Sequence, residues 1–191
     1  GSLLNFSYGY GKVYIVPFEE LDGQVQGGMC ELPVGQFPTG VMRGRFHPGN
    51  GQLYCCGMFA WSGTRQETGG VYRLRYTGQP IHVPVALKAR KNSMQITFSG
   101  KLDRQTTTDI ENWAVETWSL KRTAEYGSDR YDERDLDLAG VDLSEDGRTV
   151  VLRIHKLKTT WCMKIGYSVR SAKGQAVQGA IHNSVFRISQ N

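Results

Sequence analysis

The sequence predicts an all-β chain, and three observations carry that prediction. Apolar and polar residues alternate with a period of two in short segments, the signature of half-buried strands. Those segments are rich in Val, Ile, Tyr, Phe and Thr, which suit a pleated surface packed on one side. Glycine-, asparagine- and aspartate-containing turns separate them, and only one short stretch has a helical start signal.

Lys12–Val16 (KVYIV) is the first such strand. The turn Pro48-Gly49-Asn50-Gly51 leads into Gln52–Phe59 (QLYCCGMF), and Thr68-Gly69-Gly70 leads into Val71–Tyr76 (VYRLRY). Near Gly78–Pro84 the composition shifts: glycine thins and charged residues rise. The chain therefore divides into a β-rich segment over 1–80 and a β-sandwich over 81–191. In the second part Met94–Phe98 reads as a strand, and Asp103–Ile110 as a short helix with Asp103 as N-cap. Trp113–Trp118 follows, with Trp113 and Val115 sharing one face and Trp118 on the other. Glu145-Asp146-Gly147 forms the hairpin before Thr149–Ile154 (TVVLRI). Cys162–Val169, the turn Ala172-Lys173-Gly174 and Ile181–Ile188 complete the series.

The 191 residues suffice for one medium domain or a small domain with a subdomain. An apolar content of 39% with 10% aromatics excludes a disordered chain. No apolar run reaches the roughly 18–20 residues of a membrane-spanning helix. The net charge of +5 inclines the chain weakly toward acidic partners, because the cations are dispersed along it. Cys55 and Cys56 are neighbours and point to opposite faces of a strand. Cys30 and Cys162 can each reach one of them, or all four are buried thiols. No Cys-x-x-Cys-His occurs, so no haem is attached covalently within this sequence.

Two segments carry a family resemblance. Gly40–Tyr54 (GVMRGRFHPGNGQLY), followed by Gly69–Gly78 (GGVYRLRYTG), resembles the closing part of the β-propeller of sorbosone or glucose dehydrogenase-like proteins. These are large exported bacterial proteins, often fused to c-type cytochrome domains. The second segment runs from Ile96-Thr97-Phe98-Ser99 through Leu102-Asp103 and Asn112-Trp113-Ala114-Val115 to Leu143–Val150 (LSEDGRTV). It is similar to the Ig-like sandwich appended to such propellers. The resemblance implies the tail of a propeller with its sandwich, an exported location (periplasmic or extracellular), and propeller or cytochrome domains as partners. The quinone- or haem-binding residues of such enzymes would lie upstream, so none is carried over and no cofactor is expected.

Few residues suggest chemistry of their own. His47 reads as a turn residue that bonds backbone, and His82, His155 and His182 lack partners at metal-ligand spacing. Asp142–Gly147 imitates half of a calcium-binding loop, but Arg153 occupies the position of the bidentate carboxylate, so a hairpin explains it. Asp129, Asp132, Glu133, Asp135 and Asp137 are interleaved with Arg130 and Arg134 and read as a self-compensating charged loop. No Gly-x-Ser-x-Gly elbow occurs, and nothing sets Glu111, Glu116 or Glu125 apart as catalytic carboxylates. In Val71–Tyr76 the arginines alternate with Tyr and Leu as ordinary strand patterning does, so nucleic acid is not expected as a partner. The aromatics give the functional expectation. Rings at Trp61, Trp118 and Tyr126, with Lys121, Arg122 and Glu125 as hydrogen-bonding groups, form a candidate sugar-binding set. The expected function is a non-catalytic accessory module that binds polysaccharide, acidic or sulfated chains preferred. A docking domain that completes a redox propeller and has no ligand of its own is the alternative.

Overall fold

The computed structural model describes residues 2–61 and 63–190. Among these, the strands in chain order are β1 (Leu3–Ser7), β2 (Lys12–Val16), β3 (Phe18–Leu21), β4 (Gln24–Glu31), β5 (Gly40–Phe46), β6 (Leu53–Met58), β7 (Gly69–Leu74), β8 (Pro84–Arg90), β9 (Ser93–Phe98), β10 (Trp113–Ser119), β11 (Tyr131–Asp135), β12 (Leu138–Leu143), β13 (Thr149–Ile154), β14 (Thr160–Arg170) and β15 (Ala176–Val185). Helix is limited to α1 (Arg104–Thr108) and a 3-10 turn over Ile110–Asn112. The chain is all-β. It folds into two units, one of residues 1–15 and 31–81, the other of 16–30 and 82–191. The segment 16–30, which the sequence groups with the first part, thus belongs to the second unit.

The second unit is a sandwich of antiparallel sheets. One sheet has the order β12–β13–β9–β8, the other β4–β15–β14–β10–β11 with β3 also paired to β4. Period-two patterning decides which side chains are buried. Met94, Ile96 and Phe98 of β9 and Val150, Leu152 and Ile154 of β13 face inward, as do Met163, Ile165, Tyr167 and Val169 of β14. Phe98 meets Tyr167 edge-on at 5.4 Å between ring centroids, which ties one sheet to the other.

Asp103 caps α1, its carboxylate accepting from the Thr106 N–H at 2.9 Å. The helix is shorter than the predicted Asp103–Ile110 because Asp109 takes an extended conformation and caps the following 3-10 turn instead. Between β12 and β13, Ser144 Oγ accepts from the Thr149 N–H and Asp146 from the Arg148 N–H. This is the hairpin expected of Glu145-Asp146-Gly147.

Segment 16–30 is held in the second unit by two polar knots. Glu19 of β3 accepts from the Ala89 N–H at 2.6 Å, from Arg90 at 2.8 Å and from the Gln26 amide at 2.9 Å. Buried Gln26 accepts from the backbone N–H groups of Phe186 and Arg187, both at 2.8 Å, and donates to the Arg187 carbonyl. Cys30 lies deeper, 3.3 Å from the Tyr167 hydroxyl.

The first unit contains the pair β1–β2 and the three-stranded antiparallel sheet β5–β6–β7. Val41, Leu53 and Cys55 form its buried centre, covered by Leu4, Phe6, Phe37, Tyr72 and Leu74. Its glycine density has a packing cause. A Cβ on Gly57 would lie 1.7 Å from the Gly40 carbonyl oxygen, so β5 and β6 reach this spacing only with glycine there.

Candidate binding site

The predicted site residues fall into two groups. Trp118, Lys121, Arg122, Glu125 and Tyr126 lie on β10 and its connection to β11 in the second unit; Trp61 lies on the β6–β7 loop of the first.

On β10 the inward face takes Trp113, Val115 and Thr117, which leaves Glu116 and Trp118 on the outer face. Trp118 is half-buried there, and the guanidinium of Arg130 sits 4.1 Å from its ring centroid. One face of this ring is thus already occupied by a cation. Glu116 binds Lys164 at 2.6 Å and has Arg130 at 3.9 Å. The bond from Lys164 holds the Glu116 carboxyl below the usual carboxylate range, against a smaller opposing effect of burial. His182, in register with Lys164, has its pKa pushed down by burial and then by the positive charges of Lys164 and Arg130.

The rest of the predicted set does not converge. Lys121 stacks over Tyr131 at 3.9 Å, and Arg122, Glu125 and Tyr126 are all exposed. Tyr126 stands free of the surface, on a connection fixed by side-chain bonds such as Lys121 N–H to Ser128 Oγ.

Trp61 differs. It is 78% exposed, yet its loop is pinned on both sides. The Ala60 N–H donates to the Arg65 carbonyl at 3.1 Å, Gly63 to Ala60 at 3.0 Å, and Thr64 to the Gly9 carbonyl at 3.0 Å. Buried Ala60 and the close approach of Gly63 to Gly9 anchor the base of the loop that carries the indole.

The sequence reading missed a third feature. On the outward face of β5–β6–β7, the register aligns Arg43 with Cys56 and Val71, and Arg45 with Tyr54 and Arg73. The signal was present as Arg-x-Arg at 43/45 and at 73/75, but only the pairing of β5 and β7 to β6 gathers it on one face. The first unit holds six cationic side chains (Lys12, Arg43, Arg45, Arg65, Arg73, Arg75) against two carboxylates (Glu31, Glu67), which leaves four of the five net positive charges there. The cations themselves are spread over both units, as expected, but the excess over carboxylates falls mainly in the first.

His47 holds its turn as expected: its Nδ1 accepts from the Gly49 N–H at 3.1 Å. Among the described residues no group of three or more His, Cys, Asp or Glu side chains is placed to hold a metal ion. No disulfide joins the cysteines among the described residues, and burial pushes the Cys55 pKa up to about 11. Cys56 is exposed while Cys30 and Cys55 are buried. Maleimide labelling of the native protein is therefore expected to modify Cys56 first, and labelling in denaturant to find four thiols; a count of two would establish a disulfide. No family model, no curated protein and no solved structure matches this chain.

Proposed function

We propose that this chain is a non-catalytic accessory module that binds polysaccharide, part of an exported sugar-oxidising or polysaccharide-degrading protein. The observation that supports it most is Trp61, a large ring left in water on a hydrogen-bonded loop. Burying an indole is strongly favourable, so a ring held out this way is available for stacking against the C–H faces of a sugar. The resemblance to exported dehydrogenase-like proteins supplies the setting. A stacked ring with a few exposed polar contacts gives weak binding, with Kd on the order of micromolar to millimolar, or about 4–8 kcal/mol. In affinity-gel electrophoresis against a panel of soluble polysaccharides, the wild type is expected to be retarded. Trp61→Ala is expected to lose about tenfold or more in affinity with an unchanged melting temperature. Equal retardation of the variant would remove Trp61 from the site, and no retardation by any polysaccharide would overturn the reading.

A second reading, the docking domain, is favoured by one feature. The β5–β6–β7 sheet carries apolar side chains on both faces, with Val71 79%, Met42 50% and Met58 48% exposed opposite the buried Val41, Leu53 and Cys55. Cys56 stands on the exposed face and reports on its cover. Slow labelling of Cys56 in the presence of a propeller partner, and fast labelling without it, would favour docking over sugar binding.

A further inference from the structure

We infer that the outward face of the β5–β6–β7 sheet binds a sulfated polysaccharide, with Arg43, Arg45 and Arg73 as the sulfate-gripping groups. The inference rests on the polysaccharide reading above; it adds the chemical class of the ligand and a site distinct from the Trp61 loop.

Three observations converge on this face. All three arginines are exposed, and none forms an ion pair among the described residues; the one hydrogen bond of Arg45 goes to its neighbour's carbonyl. Arg90, Arg130, Arg153 and Arg187 of the second unit are by contrast ion-paired, with Glu19, Glu116 and Glu133, Asp142 and Asp22 respectively. Strand geometry then sets the spacing. Arg43 and Arg45 are two residues apart on one strand, about 7 Å, and Arg45 and Arg73 flank the middle strand, about 10 Å apart. Groups rooted at this spacing can each reach a separate charge on one extended polymer. Finally, Arg43 and Arg45 line a shallow hollow of about 320 Å³ together with Tyr54, Cys56 and Val71, and Arg73 lies beside it, paired in register with Tyr54. Its lining is mostly apolar, which suits the C–H face of a pyranose, and an arginine fork is the side chain that pairs with two oxygens of one sulfate.

A single-stranded nucleic acid would use the same charges but requires several free rings on which bases stack. Tyr54 is the aromatic in this hollow, and it is half-buried, near the His47 ring and hydrogen-bonded by Asn50. The face therefore favours sulfate over nucleic acid.

The test is a titration of the whole chain with size-defined heparin over a range of NaCl concentrations, beside polygalacturonate, poly(dT) and a neutral polysaccharide. The wild type is expected to bind heparin best, with log K falling linearly in log salt at a slope of about −2 to −3, as for three released counterions. Arg43→Glu/Arg45→Glu/Arg73→Glu is expected to weaken heparin binding at least tenfold and to flatten that slope. The variant Lys88→Glu/Lys158→Glu/Lys173→Glu, with the same net charge, should stay within about twofold of wild type; its three lysines are exposed in the second unit. Circular dichroism and melting confirm that both variants fold, and Arg-to-Lys changes at the same three sites retain part of the affinity if charge is what counts. Wild-type affinity in the arginine variant, or an equal loss in the lysine variant, overturns the assignment. Tighter binding of polygalacturonate or poly(dT) than of heparin overturns sulfate as the ligand. If neutral-polysaccharide binding and its loss in Trp61→Ala persist while heparin binding ignores the arginines, this inference falls and the function proposed above stands. If no polysaccharide binds, the earlier reading falls as well.

Discussion

Glu19→Ala is expected to cost about 3 kcal/mol or more of unfolding free energy, the lower part of the range for breaking a buried ion pair. The carboxylate is only 8% exposed and satisfies three donors at once, the Ala89 N–H, the Arg90 guanidinium and the Gln26 amide. Truncation leaves a largely buried guanidinium without its anion and a backbone N–H without its acceptor, and each omission costs desolvation that nothing repays. Glu19→Gln keeps the shape and removes the charge, so its loss should be smaller. The same residue gives a pH signature. Burial alone would raise its pKa, but the Ala89, Arg90 and Gln26 bonds outweigh burial and hold it below the usual carboxylate value. A folded pKa below the unfolded one means that the contribution is complete above the unfolded value, about 4.3, and is lost as pH falls through the folded value. Urea unfolding at pH 7 should therefore separate wild type from Glu19→Ala, and the gap should narrow in acid. A constant gap down to pH 3 would show that the charge is not what stabilises this contact.

Phe98→Ala should be of equal or greater severity, about 3–5 kcal/mol. Phe98 is fully buried and packs edge-on against Tyr167 from the opposite sheet, so its removal opens a cavity between two layers that cannot collapse independently. Phe98→Leu keeps most of the volume and should cost well under half as much. The measurement is chemical denaturation followed by tryptophan fluorescence, since Trp113 lies against the same Tyr167 ring. A loss under about 1 kcal/mol for Phe98→Ala would mean that the two sheets do not close over this ring.

Where side-chain alternation is strong the fold was legible. Lys12–Val16 and Thr149–Ile154 coincide with β2 and β13, because each places two or three apolar residues on a single face. β4 (QVQGGMCE) and β5 (GVMRGRF) escaped that reading, since their glycines at 27, 28, 40 and 44 break the apolar alternation. Those glycines permit close backbone approach, as at Gly27, where a Cβ would lie 2.3 Å from the Pro17 carbonyl oxygen. The sites were less legible for a different reason. Sequence proximity suggested that Lys121, Arg122 and Glu125 serve Trp118. The cation over that ring is Arg130, which the β10–β11 pairing brings back from twelve residues further on. The arginine face of β5–β7 likewise depends on strand register, which a single sequence does not encode locally.

The placement of Gln26 bears on how the chain is made. Its amide waits for the N–H groups of Phe186 and Arg187, about 160 residues downstream. At roughly 5–20 residues per second a ribosome needs about 8–32 s to deliver that partner. Throughout this interval the amide must stay hydrated, and β4 is an open edge without its β15 neighbour, the state in which strands pair with wrong partners. The second unit therefore cannot complete its fold progressively from the N-terminus. Its larger sheet closes only when nearly all of the chain has emerged, a late and long-range step that should make refolding slow. Truncation just before residue 186 should remove the Gln26 knot and leave, of the two polar knots, the Glu19 knot alone to hold segment 16–30.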